Sequence, residues 1–447
     1  MADKTYYHQC LEAMYGLRRF GIKLGLETIQ TLLAGLGNPQ NDLKCIHVAG
    51  TNGKGSIASA LSTILRLSGF KVGLYTSPHL VRFNERIRID NQPISDEDVL
   101  NAYEAVKSIP TGEREPTFFE FTTAMGLYLF RRRGVEWALI ETGMGGRLDA
   151  TNILSPQLSI ITNISLEHQE YLGDTIADIA YEKGGIIKPH TPVVTGVQQE
   201  EAAEVLRRIA REKSAPLFRL GVQFQVETGP DRTFTYRGMD QTWSNLRTGL
   251  AGDYQIDNAA LVLAACEVLN RADIDISPES IRNGLLQNRW PGRLEIVSEN
   301  PLVILDGAHN LAAAENLAGF LKKEMSDRSV TLVVGILDDK PYQEMLAHLL
   351  PNCRKVILTR PKIDRSLPTE TLLKAVREIR RSDRIEIPPD SIQQSNIQMI
   401  PSVAEAVRIA ISSAAPDEVI CIAGSLYVVG EAKEYLGEES QSDQRLF

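Results

Sequence analysis

The chain has 447 residues, 43% of them hydrophobic and 23% charged, with a net charge of −9 at neutral pH. That length calls for two or three domains with sizeable cores, and the acidic balance excludes any global attraction to nucleic acid or to an anionic membrane. No run of 18 or more apolar residues appears, the first ten residues (MADKTYYHQC) lack the apolar stretch of a signal peptide, and the five cysteines show no zinc-ligand spacing. They read as small buried hydrophobes in a reducing cytoplasm.

In chain order, short apolar runs predict strands at Lys44–Val48, Val72–Thr76, Trp137–Thr142, Leu158–Ile164, Pro192–Thr195, Leu302–Leu305, Thr331–Gly335, Lys355–Thr359 and Glu418–Ala423. Helical patterns separate most of them, among them Ser56–Leu67, Asp96–Lys107, Glu120–Arg132 and Asn310–Lys323. Continuous apolar strands that alternate with helices indicate an α/β class with parallel sheets covered on both faces. Phe224–Trp243 alternates through ETGPDR and predicts an antiparallel hairpin. Pro and Gly interrupt near Asn288–Arg293, which predicts a larger domain over residues 1–295 and a smaller one over 296–447. The polar tail Gly437–Phe447 reads as frayed.

The strongest chemical signal is the run from Cys45 to Ser56, CIHVAGTNGKGS, leading into an amphipathic helix. Glycines at 50, 53 and 55 let backbone N–H groups converge on phosphate, and the helix N-terminus adds positive potential. Lys54 then reaches the terminal phosphates and the Ser56 hydroxyl a Mg²⁺ ion. The spacing departs from the standard P-loop, since two residues rather than four separate the glycines and Gly55 precedes Ser56.

Other strands end at further candidates. Ser77 follows one and Glu141 closes another, and both are hard oxygen donors suited to Mg²⁺ at the carboxyl edge of a parallel sheet. His168 lies just past a fourth strand end, either as a ligand or as a structural histidine. The GMGGRL segment is no dinucleotide fingerprint, because position 148 is Leu. Lys183 stands between an apolar helix face and an apolar run; desolvation there would depress its pKa, but the residues by themselves favour a solvated helix-end lysine. Asp306, His309 and Asn310 repeat the strand-to-turn pattern in the smaller domain, and Arg293 in the linker is either a phosphate-binding fork or a surface charge.

Taken together, AGTNGKGS, TSPHL, FFEFTTA, ETGMGGRLDATN, ISLEHQEYLG, EKGGIIK, NRWPGRLE, DGAHN and AGSLYVVG resemble the folylpolyglutamate synthase/dihydrofolate synthase family of the Mur ligase superfamily. The matches run in order over nearly the whole chain. The resemblance implies a P-loop ATPase domain and a smaller Rossmann-like domain with catalysis in the cleft between them. It implies ATP on Thr51, Asn52, Gly53, Lys54, Gly55, Ser56, Asn258, Arg293 and Asp306, and two magnesium ions on Ser56, Ser77, Glu141, His168 and Lys183, the lysine as a carbamate. Lys54, Lys183, Arg293 and His309 are the implied catalytic groups. Ile22, Lys23, Leu24, Thr117, Phe119 and Asp149 match the pteroate-binding region.

The reaction implied is transfer of phosphate to a carboxylate of dihydropteroate or a folate, then attack by the amine of L-glutamate, in a monomer. Another Mur-type ligase acting on a cell-wall precursor or polypeptide, a P-loop kinase or switch NTPase, and a nucleotide-binding module without turnover are the competing readings. The irregular P-loop disfavours the kinase. Retention of Ser77, Glu141, His168 and Lys183 disfavours the inert module.

Overall fold

The structure is a computed structural model, which describes residues 4–21, 23, 25–112, 114–381 and 394–443. Two compact units make up the chain: Met1–Gly249 with Gln255–Arg289, and Leu250–Tyr254 with Trp290–Phe447.

The first unit is built on eight strands: β1 (Lys44–Ala49), β2 (Val72–Tyr75), β3 (Ile87–Ile89), β4 (Gln92–Pro93), β5 (Trp137–Glu141), β6 (Leu158–Ile161), β7 (Val193–Thr195) and β8 (Leu217–Arg219). Their order is β4-β3-β2-β5-β1-β6-β7-β8. Strands from β2 to β8 pair in parallel, with β1 in register so that Val48 faces Glu141. The short β3 and β4 run antiparallel at one edge. The central strands β1, β2, β5 and β6 are buried almost throughout, as continuous apolar runs covered on both faces require.

The helix Lys54–Leu67 is enclosed on every side, with all residues from Ser56 to Leu65 buried. A Cβ at Gly284 of the neighbouring helix would come within 2.3 Å of Ile64, so only glycine allows that approach. The alternating segment after residue 224 forms three strands rather than one hairpin: β9 (Gln225–Thr228), β10 (Phe234–Arg237) and β11 (Thr242–Leu246), all antiparallel. Glu267, buried on the helix Tyr254–Arg271, ties this sheet down by accepting from the Tyr236 hydroxyl at 2.7 Å and from the backbone of Met239, Asp240 and Gln241.

The second unit carries β12 (Glu295–Glu299), β13 (Leu302–Leu305), β14 (Val330–Val334), β15 (Lys355–Leu358), β16 (Ile397–Met399) and β17 (Val419–Ala423), in the order β12-β13-β17-β14-β15-β16. Only β12 is antiparallel to its neighbour. The unit runs from Trp290 and also includes Leu250–Tyr254, against the expected division after 295. Of the expected frayed tail, Gly437–Asp443 is helical, continuing the helix Leu426–Asp443 that buried Val428, Val429 and Ala432 anchor; residues 444–447 lie outside the described residues. No helix among the described residues is long and apolar enough to cross a membrane.

Candidate active site

The sheet order places β2, β5, β1 and β6 side by side, so their carboxyl ends form one continuous edge. The phosphate loop leaves β1 in its middle. Gly50 (φ 143°) and Gly53 (φ 86°) take backbone conformations that L side chains rarely adopt. A Cβ at Gly50 would collide with the Thr162 hydroxyl at 1.8 Å, and one at Gly53 with Asn258 Oδ1 at 2.6 Å. The loop is fastened to the end of β6: Thr51 N–H donates to Asn163 O and Asn52 N–H to Asn163 Oδ1, each at 2.9 Å, while the Thr162 hydroxyl donates to Asn52 O at 2.6 Å. The N–H groups of Lys54, Gly55 and Ser56 open the helix and have no acceptor within it, which aims them at an anion. Lys54 Nζ donates to Gly50 O at 2.9 Å and Thr51 O at 3.1 Å, so the ammonium lies on the loop itself.

Asn258 was reached in the sequence only through resemblance; its buried side chain meets the loop at Gly53 and donates to Gln255 Oε1 at 2.9 Å. Gln255 in turn approaches the buried Ser56 hydroxyl at 3.5 Å. Nothing in the sequence marked Gln255, Thr162 or Asn163, which act through long-range contacts.

Glu141, buried at the end of β5, accepts the Ser77 N–H at 3.2 Å, which brings these two expected metal donors together. The Glu141 carboxylate and the hydroxyls of Ser56 and Ser77 are oxygen donors of the kind Mg²⁺ prefers, so the chemistry of these residues fits that ion. His168 is exposed, in a left-handed conformation (φ 48°) at the start of the short helix Gln169–Leu172. Among the described residues no three His, Cys, Asp or Glu side chains are grouped as a metal site.

Lys183 is 1% exposed, not the solvated helix-end lysine that its local sequence favours. The helix Ile176–Gly184 turns it inward, where Nζ donates to Glu167 Oε1 at 2.7 Å. Burial pulls the Lys183 pKa down, Glu167 opposes that, and Lys54 adds to the lowering. Burial pushes Glu167 the other way, but Lys183, Lys54 and His168 overcome it and hold the carboxylate at about 2. Glu167 is thus the partner of Lys183 that sequence reading missed; its only signal was a carboxylate beside His168.

The expected acceptor-binding residues have visible structural work. Thr117 caps the helix Phe118–Arg132 in a reciprocal box with Glu120: its hydroxyl donates to Glu120 Oε2 at 2.8 Å and accepts from Glu120 N–H at 3.2 Å. Phe119 is half-buried, its ring against Gly143 and 6.0 Å from the Tyr75 ring. Asp149 is buried and pins its own loop: Oδ2 accepts from Gly143 and Met144 N–H, both at 2.9 Å, and Oδ1 from Thr151 N–H at 3.0 Å and its hydroxyl at 2.5 Å. Those four bonds fill the carboxylate, so a substrate contact would have to exchange with one of them. Lys23 is exposed; Ile22 and Leu24 lie outside the described residues.

In the second unit, β13 leads into Asp306–Asn310. Asp306, buried, accepts from Leu294 N–H and Ala308 N–H, each at 2.9 Å, and burial raises its pKa against the pull of Arg293. His309 Nδ1 lies 2.8 Å from Gly307 O; a carbonyl only accepts, so Nδ1 carries the proton. Arg293 is half-buried.

Against known proteins, residues 48–266 match the Mur ligase middle domain and residues 292–426 the Mur ligase, glutamate ligase domain. The chain is 36% identical to the dihydrofolate synthase/folylpolyglutamate synthase of Bacillus subtilis, over 97% of this chain and 99% of that protein. The chain belongs to the dihydrofolate synthase/folylpolyglutamate synthase family. The folylpolyglutamate synthase of Lacticaseibacillus casei, another member, is 39% identical over 91% of this chain and 93% of its own. Among solved members of the family, Escherichia coli FolC in complex with DHPP and ADP superposes with a TM-score of 0.86 at 31% identity, covering 96% of this chain and 98% of that one. The Yersinia pestis bifunctional enzyme complexed with AMPPNP and Mn ion gives 0.84 at 30% identity, over 96% and 98%. These full-length matches support the α/β Mur ligase architecture and ligase activity expected above.

Proposed function

We propose that this chain is an ATP-dependent, ADP-forming ligase that adds L-glutamate to dihydropteroate, to the γ-carboxylate of folates, or to both. The observation that carries the reading is a relationship spanning 97% of the chain to a dihydrofolate synthase/folylpolyglutamate synthase. The phosphate loop beside Ser77, Glu141 and Lys183 supplies chemistry that fits it.

ATP places its phosphates on the backbone of Thr51–Ser56, with Asn258 steadying the loop at Gly53; the family resemblance also assigns Asp306 and Arg293 to the nucleotide. The acceptor carboxylate attacks the γ-phosphorus; the bond to the β-phosphate oxygen breaks, leaving ADP and an acyl phosphate. Lys54 and Arg293 offset the charge that gathers on the transferring oxygens, an effect worth roughly 10²–10³ in rate per well-placed donor. The neutral amine of glutamate then attacks the acyl carbon, inorganic phosphate departs, and the amine loses its proton. His309, protonated on Nδ1, is a candidate to steady the phosphate groups through its other nitrogen.

Ser56, Ser77, Glu141 and His168 would hold two Mg²⁺ ions, which when bound neutralise phosphate charge. We infer that Lys183 serves as a carbamate in that state. Its burial and the nearby Lys54 ammonium favour the uncharged amine that CO₂ addition needs. Phe119 lines the pteroate region, with Thr117 and Asp149 shaping it and Ile22, Lys23 and Leu24 completing it. The enzyme acts as a monomer in the cytoplasm, a reducing compartment compatible with its five free, buried cysteines.

The test is ADP release measured with dihydropteroate and with tetrahydrofolate in separate reactions, each with and without L-glutamate. Release that requires both an acceptor and glutamate is expected. Equal release without either acceptor would sink the proposal, and activity with one acceptor only would assign the enzyme to that reaction.

A further inference from the structure

We infer that Gly307, together with the left-handed Leu294, is a positioning element that fixes Arg293 before the nucleotide arrives; this rests on the assignment of Arg293 to the nucleotide. Three contacts meet at Gly307. Its N–H donates to Gly292 O at 2.8 Å, which closes the Gly292–Glu295 strap onto the Asp306–Asn310 turn. Its carbonyl accepts from His309 Nδ1 at 2.8 Å, which sets the orientation of that ring. The space where its side chain would stand is occupied by Arg293: a Cβ at 307 would lie 2.3 Å from Arg293 Nη1 and 2.4 Å from Leu426 Cδ2. Arg293 Nη1 also donates to Gly292 O at 3.0 Å, the same carbonyl that receives the Gly307 N–H.

The strap is held from the other side as well. Leu294 has φ 46°, a conformation uncommon for a bulky residue, and it keeps it because its N–H is bonded to Asp306 and its side chain is buried in the core of the second unit. Gly292 N–H donates to Glu295 Oε2 at 2.8 Å, and Glu295 pairs with Lys433. Backbone outliers of this kind persist where the surroundings over-determine them, and they cluster at functional sites. Here the consequence is geometric. The turn at Leu294 sends the preceding side chain across Gly307, so Arg293 and His309 are both referenced to one residue that has no side chain. Arginine carries many rotamers, and fixing it beforehand removes an ordering cost from nucleotide binding or from the transition state.

Gly307 does not occupy the left-handed region, and the atoms a Cβ would meet first are the ends of flexible side chains. Gly307→Ala is therefore expected to fold and to displace Arg293. The experiment is a double-mutant cycle on kcat/KM for ATP using Gly307→Ala, Arg293→Ala and the pair, in the full-length chain. Gly307→Ala/Leu426→Ala relieves the second contact, and thermal melting monitors the fold. Arg293→Ala is expected to lose 10²-fold or more, Gly307→Ala at least 10-fold, and the double variant no more than Arg293→Ala alone. Gly307→Ala/Leu426→Ala should stay as impaired as Gly307→Ala. Losses that multiply, unimpaired turnover in Gly307→Ala, or recovery on adding Leu426→Ala would each overturn the inference. Should Gly307→Ala fail to fold, Gly307→Ala/Leu426→Ala replaces it in the cycle, and if neither folds the glycine's role is scaffolding and the inference falls. Full activity in Arg293→Ala would instead overturn the assignment of Arg293 on which the inference rests.

Discussion

Replacing Glu167 with glutamine tests the electrostatic account of Lys183 most directly. The two groups meet at 2.7 Å with side chains 1% and 11% exposed, so the pair is largely screened from water. Removing one partner of a buried pair costs about 3–5 kcal/mol, because the remaining charge has lost its compensation. Lys183 has one escape, which is to fold unprotonated. At pH 7 that costs about 4.6 kcal/mol, from the gap between 7 and an unfolded lysine pKa of ~10.4 at 1.36 kcal/mol per unit. The two routes agree in size, so Glu167→Gln should destabilise the first unit by about 4 kcal/mol at pH 7.

The sign of its pH dependence follows. In the variant the folded lysine has a depressed pKa and the unfolded chain binds the extra proton, so stability rises with pH toward ~10.4, and the deficit should shrink between pH 7 and 9.5. Urea unfolding followed by tryptophan fluorescence at pH 7 and 9.5 measures both values. Glu167→Gln/Lys183→Met should restore most of the loss at pH 7, since an apolar residue of similar volume carries no charge to compensate. A deficit that stays constant across this pH range would refute the argument.

His47 is fully buried on β1, and burial holds its ring neutral with a pKa of about 3 against the usual 6.5. The unfolded chain therefore binds the extra proton between those values, and stability should fall as pH drops below 6.5, by about 2 kcal/mol at pH 5 from this group. His47→Gln, which can still meet the Thr151 hydroxyl now 2.8 Å from Nε2, should flatten that part of an acid-unfolding curve. Asp149→Ala releases four hydrogen-bond donors of one loop, so kcat/KM is expected to fall with both dihydropteroate and tetrahydrofolate. A selective loss with dihydropteroate alone would instead favour direct substrate contact. Lys183→Ala should be inactive and partly rescued by short carboxylic acids that replace the carbamate; full activity in Lys183→Arg, which cannot be carbamylated, would rule that role out.

All nine strands marked from apolar runs are present, and the phosphate loop is where its glycines place it. Both signals are local. A buried parallel strand must be apolar along its length, and a loop with φ 86° and 143° must be glycine. Gly50, Gly53, Ser77 and Glu141 were legible for the same reason, since strand ends can be read from the strands. Short strands at or beside a sheet edge, such as β3, β4, β8 and β16, left no such mark, because two or three residues carry little period. The roles of other residues depended on partners far away in the chain. Lys183 looks like a surface lysine until the helix Ile176–Gly184 turns it against Glu167, and Asn258 meets Gly53 across more than two hundred positions. Gly307 looks like an ordinary turn glycine until Arg293 lies over it. What one residue must do to its own backbone is written in the sequence; which charge or side chain it will face is decided only when the strands assemble and bring distant segments to one edge.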